Sequence, residues 1–305
     1  MNNSPLEILQ KSRIIVVGTV RNVQHSINSE IENLLHALRS CKELSFYIVE
    51  SDSTDLTIGN LQELARTLKN FQFLTLGQLE KAIPSRIERI AHCRNAYLEY
   101  VKNNSQHFDY VVVVDLDGVN KLISEAKLLS CFEKSDWGCC AANQIGPYYD
   151  IFALRSKGWC ESDCWKDARQ LVASGMHPLK AWRVSIRDKQ KVIEPTNTWI
   201  KVDSAFGGFA IYRIEAFIEG RYSTVTENES GVCEHISLNL NIVSRGWSIY
   251  INPALTNFDY NEHNDFSRLS RRIKYIMKYC ISALFPVYFI RFFMPELQKV
   301  ETAAK

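Results

Sequence analysis

Four consecutive valines, Val111 to Val114, set between Tyr110 and Asp115, constrain this chain more than any other segment. A strand with one face in water alternates apolar and polar residues. An unbroken β-branched run belongs to a strand covered on both faces, as in a parallel sheet clad by helices. Arg13 to Val20, with Ile14-Ile15-Val16-Val17 at its centre, has the same character. Ser45 to Glu50 and Phe71 to Leu76 read as two further strands. Between them lie helical spacings: Ile31, Leu34, Leu35 and Leu38 behind a cap at Ser26 or Asn28; Leu61, Leu64, Ala65 and Leu68; and a long helix over Ile83 to Val101 carrying Arg86, Arg89 and Arg94. Strand and helix in alternation predict βαβ units and a Rossmann-related α/β sheet over residues 13–120. Ligands of such sheets bind beyond the carboxyl ends of the strands, here Thr19 to Asn22, Glu50 to Asp55 and Asp115 to Asn120.

The remainder is less regular. Strands are expected over Trp137 to Ala142, over Tyr149 to Arg155, after the glycine pair Gly207-Gly208, and over Gly246 to Pro253, where the proline should stop pairing. Cys160 to Arg187 reads as helix and loop, and Cys233 to Ser244 as a helix. With no repeat and no low-complexity linker, residues 1–265 form one expected domain, a nucleotide-binding half (13–120) and an acceptor half (121–265). Residues 266–305 form a basic, aromatic amphipathic tail. Its uncharged stretch, Cys280 to Ile290, is about half the ~20 residues of a spanning helix, so it suits a membrane surface or packing on the domain.

Thirty-six Lys and Arg against 34 Asp and Glu leave a net charge of +2, too even for a nucleic-acid binder. Nine cysteines, two of them adjacent, read as free thiols in a reducing compartment, and no secretory signal opens the sequence. A cytoplasmic protein, peripheral on a membrane at most, is the expectation. Cys160, Cys164 and His177 are too loosely spaced for zinc.

Asp115-Leu116-Asp117-Gly118 follows the best strand. Strand positions i and i+2 share a side, so both carboxylates can hold one Mn²⁺ or Mg²⁺ where a buried strand emerges. Such a site suits sugar transfer with a diphosphate leaving group. It also suits a haloacid-dehalogenase-like phosphatase, whose opening motif it matches, although three strands precede it and no later acidic pair follows. A sugar nucleotidyltransferase would need a glycine-rich, lysine-containing loop after the first strand, which Gly18-Thr19-Val20-Arg21 matches poorly. A carbohydrate-binding module would need no metal at all.

With these residues in view, the sequence resembles glycosyltransferases of the GT-A fold over residues 13–255. Val111 to Asp117 supplies the metal motif. His92-Cys93-Arg94-Asn95 is similar to a segment of fungal Golgi and capsule mannosyltransferases. Cys233 to Leu240, with Arg245 to Pro253, is similar to the Glu-Asp…Gly-x-x-aromatic-x-Pro block of the inverting family that includes chitin and cellulose synthases. His235 stands where that family has its second acid.

The resemblance and the chemistry together imply a metal-dependent glycosyltransferase. It would move sugar from a nucleotide-sugar donor to a glycan or lipid-linked acceptor, as in surface polysaccharide synthesis. Asp115 and Asp117 would hold the metal, completed by a late histidine, His263. Thr19, Arg21, Glu50, Asp52, Arg94, Gly207 and Gly208 would meet the donor, with Asp115 reaching the ribose or a metal water. Glu234, or secondarily Asp203, would be the base that deprotonates the acceptor. Asp150 and His235 would contact the acceptor.

Overall fold

The computed structural model describes residues 3–227 and 230–259. Its frame is one eight-stranded sheet in the order β3-β2-β1-β4-β7-β5-β8-β6. The first four strands, β1 (Arg13–Val20), β2 (Glu43–Glu50), β3 (Phe71–Thr75) and β4 (Tyr110–Asp115), are all parallel, so their carboxyl ends share one edge. β5 (Cys139–Asn143) and β8 (Ile249–Thr256) point the same way, while β6 (Ile200–Val202) and β7 (Phe209–Arg213) run against them. The sheet is therefore mixed and mostly parallel in direction, as expected.

Both faces are buried, which is what the valine run demands. Val112 and Val114 enter a core with residues of α1 (Pro5–Lys11), α2 (Ile27–Ala37), α3 (Thr57–Thr67) and α5 (Glu125–Leu129). Val111 and Val113 enter the opposite core, with α4 (Arg86–Asn103), α6 (Cys164–Ala173), α8 (Ile214–Phe217) and α9 (Glu234–Ser244). α7 (Pro178–Ser185) packs with α6 in a small satellite cluster and starts on His177, whose Nδ1 accepts the Leu179 N–H at 3.3 Å. Among the described residues no helix is long and apolar enough to cross a membrane. The tail over 266–305 and His263 lie outside the described residues.

Two expectations are corrected. Tyr149 to Arg155 is a turn rather than a strand, contributing only an isolated bridge from Arg155 to Ser204. Its apolar residues, Ile151, Ala153 and Leu154, are buried because the loop itself lies on the core. Proline does not stop the last strand: Pro253 lies inside β8. It falls where the β5–β8 register shifts between Ala141 and Asn143 and beyond the last β6 pair, Ile200 with Ile251, so no ladder N–H is needed there.

Candidate active site

Strand parity places the site. Asp115 continues the Val111–Val113 side of β4, so it emerges on the face carrying α4 and α9. There it meets Arg94, which sits on the buried stripe of α4 formed by Ala91, Leu98 and Val101. Only 4% of Arg94 is exposed. Its Nη2 donates to Asp115 Oδ1 at 3.1 Å, its Nε to Glu234 Oε1 at 2.9 Å, and its Nη1 to the Tyr97 hydroxyl at 3.1 Å. Its guanidinium also lies 5.2 Å from the Phe206 ring centroid and 5.9 Å from that of Tyr222. One cation thus joins the end of β4 to the first residue of α9, where an acid is also favoured by the helix dipole.

The turn after β4 is held from several sides. The Asp115 N–H donates to the Gly208 carbonyl at 2.9 Å, and Asn120 Nδ2 donates to the Asp115 carbonyl at 2.6 Å. Asn120 is itself gripped by buried Glu30 of α2, at 2.7 Å through Nδ2. Ser26 stands at the cap position of α2, but its hydroxyl donates to the Leu116 carbonyl at 2.8 Å instead of capping the helix. Asp117 is left exposed at the rim of a cavity of about 340 Å³.

That cavity brings together Thr19, Arg21, Asp52, Arg94, Asp115, Asp117, Asp150, Glu234 and His235. Asp150 arrives through the 149–155 turn, with Oδ2 accepting the Gly207 N–H at 2.9 Å and Oδ1 that of Ala153 at 3.3 Å. Gly207 has φ +72°, and a Cβ there would stand 2.8 Å from the Ala142 carbonyl, so this close chain crossing requires glycine. His235 is 2% exposed, stacked on Phe206 at 3.9 Å, with no hydrogen-bond partner on either ring nitrogen. Burial, and secondarily the Arg94 charge, push its pKa well below the ordinary imidazole value.

Other expected residues lie elsewhere. The Glu50 carboxylate turns into the sheet edge, accepting from the Thr75 hydroxyl and, at 2.9 Å, from the Ser53 N–H, and so shapes the β2 loop without lining the cavity. Asp203 is exposed beyond β6, off the cavity wall. Gly207 and Gly208 lie behind the wall, binding Asp150 and Asp115 through their backbone. Arg94, expected to face a diphosphate, is instead occupied by the two carboxylates and Tyr97. Sequence reasoning missed Tyr97, Phe206 and the Glu30–Asn120 brace. The helical stripe of α4 was the available signal for Arg94, because a residue three before Tyr97 and four before Leu98 has to face the core.

Asp115, Asp150 and Glu234 crowd around Arg94, with Asp117 at the rim, while Arg21, Arg86 and Arg89 line the rest of the cavity with Asp52. Burial first, and then the neighbouring Asp117, Asp150 and Glu234 charges, raise the Asp115 pKa to about 7 against the pull of Arg94. Burial likewise raises that of Asp150. Oxygen donors crowded with surplus negative charge suit a hard divalent cation, which would replace the retained proton. Among the described residues no group of three or more metal-ligating side chains stands together.

The fold is of the GT-A type, as its likeness to solved structures shows. No protein-family profile matches the sequence, and no curated protein does. Among solved structures, the chain is similar to the mannosyltransferase PcManGT from Pyrobaculum calidifontis in complex with GDP-Man and Mn²⁺, with TM-score 0.50 and 14% identity, covering 93% of this chain and 66% of that one. Glucosyl-3-phosphoglycerate synthase from Mycobacterium tuberculosis aligns at TM-score 0.42 and 14% identity, over 91% and 82% of the two chains. TarS 1-349 of S. aureus with UDP-GlcNAc aligns at 0.45 and 13%, over 89% and 66%. The chain thus spans about two thirds of the first of these relatives.

Proposed function

We propose that this protein transfers a glycosyl unit from a nucleotide-sugar donor to a hydroxyl of a glycan or lipid-linked acceptor, using Mn²⁺ or Mg²⁺. The carrying observation is the cluster of Asp115, Asp117, Asp150 and Glu234 at the end of β4, lining a cavity of about 340 Å³. Asp117, at the rim, and Asp115 would hold the cation, which stabilises charge growing on the departing diphosphate. The similar Pyrobaculum mannosyltransferase, solved with GDP-Man and Mn²⁺, is in keeping with this reading.

The chain's own residues do the rest. Thr19, Arg21 and Asp52 line the donor end of the cavity. Arg94 holds the Asp115 and Glu234 side chains at 3.1 and 2.9 Å, coupling donor and acceptor sides rigidly. Glu234 remains the proposed base, with its proton-accepting lone pairs partly engaged by Arg94. His235, neutral and with no hydrogen bond on either ring nitrogen, is available at the same helix start to hold the acceptor hydroxyl, with Asp150 on the facing loop. His263 stays a proposal as a further metal ligand, and Asp203 is the weaker candidate base because it lies off the cavity. Residues 266–305 are proposed to dock the enzyme on the surface of an anionic membrane.

The test is thermal stabilisation by Mn²⁺ plus nucleoside diphosphates. Asp117→Ala should abolish the stabilisation while leaving the unliganded melting temperature within about 2 °C, since an exposed residue contributes little to stability. Full retention of stabilisation in Asp117→Ala would overturn the site.

A further inference from the structure

Two local rules are broken on one face of α2, and both breaches serve the turn after β4. Ser26 and Glu30 stand four positions apart, so their side chains leave the helix on the same side. A serine at the cap position normally accepts an N–H of the first helical turn. Ser26 does not, and donates to the Leu116 carbonyl at 2.8 Å. Glu30, 1% exposed, sets an acid against a neutral amide: Oε2 accepts from Asn120 Nδ2 at 2.7 Å and Oε1 from the Asn120 N–H at 3.3 Å. Burial raises its pKa against those two hydrogen bonds, and of the charges that act on it Asp117 raises the pKa and Lys121 lowers it. A buried acid met by an amide rather than a cation is costly for the fold.

The turn receives what these two residues give. Asn120 Nδ2, held by Glu30, also donates to the Asp115 carbonyl at 2.6 Å and so closes residues 115–120 into a ring. Asn120 Oδ1 accepts from Asn257 Nδ2 at 3.4 Å, and the same Nδ2 donates to the Gly207 carbonyl at 2.8 Å. α2 therefore grips Leu116 by its carbonyl and Asn120 by its N–H and its amide, on either side of Asp117 and Gly118. Gly118 sits at φ +99°, a joint with no Cβ to stiffen it. The backbone that carries Asp117 is thus set from behind by α2. Breaches of local preference of this kind gather at functional sites, where another requirement outweighs stability.

We propose that Ser26 and Glu30 are positioning residues for the divalent cation, fixing the 116–120 turn so that Asp117 already stands in its binding arrangement when the cation arrives. This role rests on the glycosyl-transfer reading and adds to it the device that preorganises the cation site. A cation that binds only the fixed arrangement loses affinity in proportion to the time the turn spends elsewhere. The full chain is titrated with Mn²⁺ in the presence of GDP or UDP, and free Mn²⁺ is read by its paramagnetic resonance, below the melting temperature of each variant. Glu30→Gln keeps the shape but turns an amide donor toward the donors of Asn120, and Mn²⁺ should bind about 3–10-fold more weakly. Ser26→Ala loses one hydrogen bond and should weaken Mn²⁺ about threefold. Because Glu30 acts through Asn120, adding Glu30→Gln to Asn120→Ala should weaken Mn²⁺ no further, a non-additivity that a general loss of stability would not produce. Mn²⁺ affinity unchanged in Glu30→Gln and in Ser26→Ala, or Glu30→Gln weakening Asn120→Ala as much as it weakens the natural chain, would overturn the proposal while leaving glycosyl transfer standing. Should Glu30→Gln fail to fold, Ser26→Ala decides by the same threefold criterion. A natural chain that binds no Mn²⁺ with either nucleotide would overturn both readings.

Discussion

Removing Arg94 is the sharpest test of how this site is built. In Arg94→Ala, the Glu234 side chain, 7% exposed, loses the guanidinium held at 2.9 Å and keeps beside it His235, whose Nε2 lies 3.8 Å away on a ring that burial holds neutral. Breaking a buried ion pair from one side typically costs about 3–5 kcal/mol, because the remaining charge stays desolvated. Asp115 also loses its partner at 3.1 Å, but its side chain is 33% exposed, so solvent screens most of that loss. For a chain of this size the expected fall in melting temperature is about 6–15 °C, measured by calorimetry. Arg94→Met combined with Glu234→Met should recover most of the stability, since apolar replacement of a whole buried pair is often neutral. A loss below about 1 kcal/mol for Arg94→Ala would refute the reasoning, because it would mean that the pair is solvated and weak.

Two further outcomes follow from the same geometry. His235→Phe should raise stability by about 1 kcal/mol, read as urea-induced unfolding, because it keeps the ring stack on Phe206 and removes two unsatisfied nitrogens, but it should weaken acceptor use. The second concerns pH. Folded Asp115 retains its proton to about pH 7, while an unperturbed Asp releases it near 3.8. The folded chain then binds the extra proton between those values, so this group's contribution to stability declines as pH rises from about 4 to 7. A shift of that size corresponds to about 4 kcal/mol, and exposure of a third of the side chain reduces it to about 1–2 kcal/mol. Mn²⁺ must displace that proton, so its affinity, followed by calorimetry, should fall up to about tenfold per pH unit below pH 6 and level off above pH 8.

Some of this architecture was legible from residue order. β1 and β4 lie where their valine-rich runs place them, Arg13–Val20 and Tyr110–Asp115, because a doubly covered strand leaves no periodic ambiguity. The glycine pair ahead of β7 and the helix from Glu234 are also local signals, a turn and a 3.6-residue repeat. Tyr149 to Arg155 misleads because a loop that packs its apolar residues on the core has the composition of a strand. Pro253 misleads because whether a missing N–H matters depends on the neighbouring strand's register.

By itself, then, the sequence determined the βαβ half-sheet, the edge that the carboxyl ends of its strands share and the two acids after β4, all properties of contiguous residues. Tertiary structure decided what those acids touch. Arg94 and Glu234 are 140 positions apart, and Asp150 meets Gly207 only because a turn folds back over the sheet. Whether a charge is exposed, paired or left needing a ligand depends on partners from distant segments, because hydrogen bonds and desolvation act across a few ångströms of space irrespective of separation along the chain.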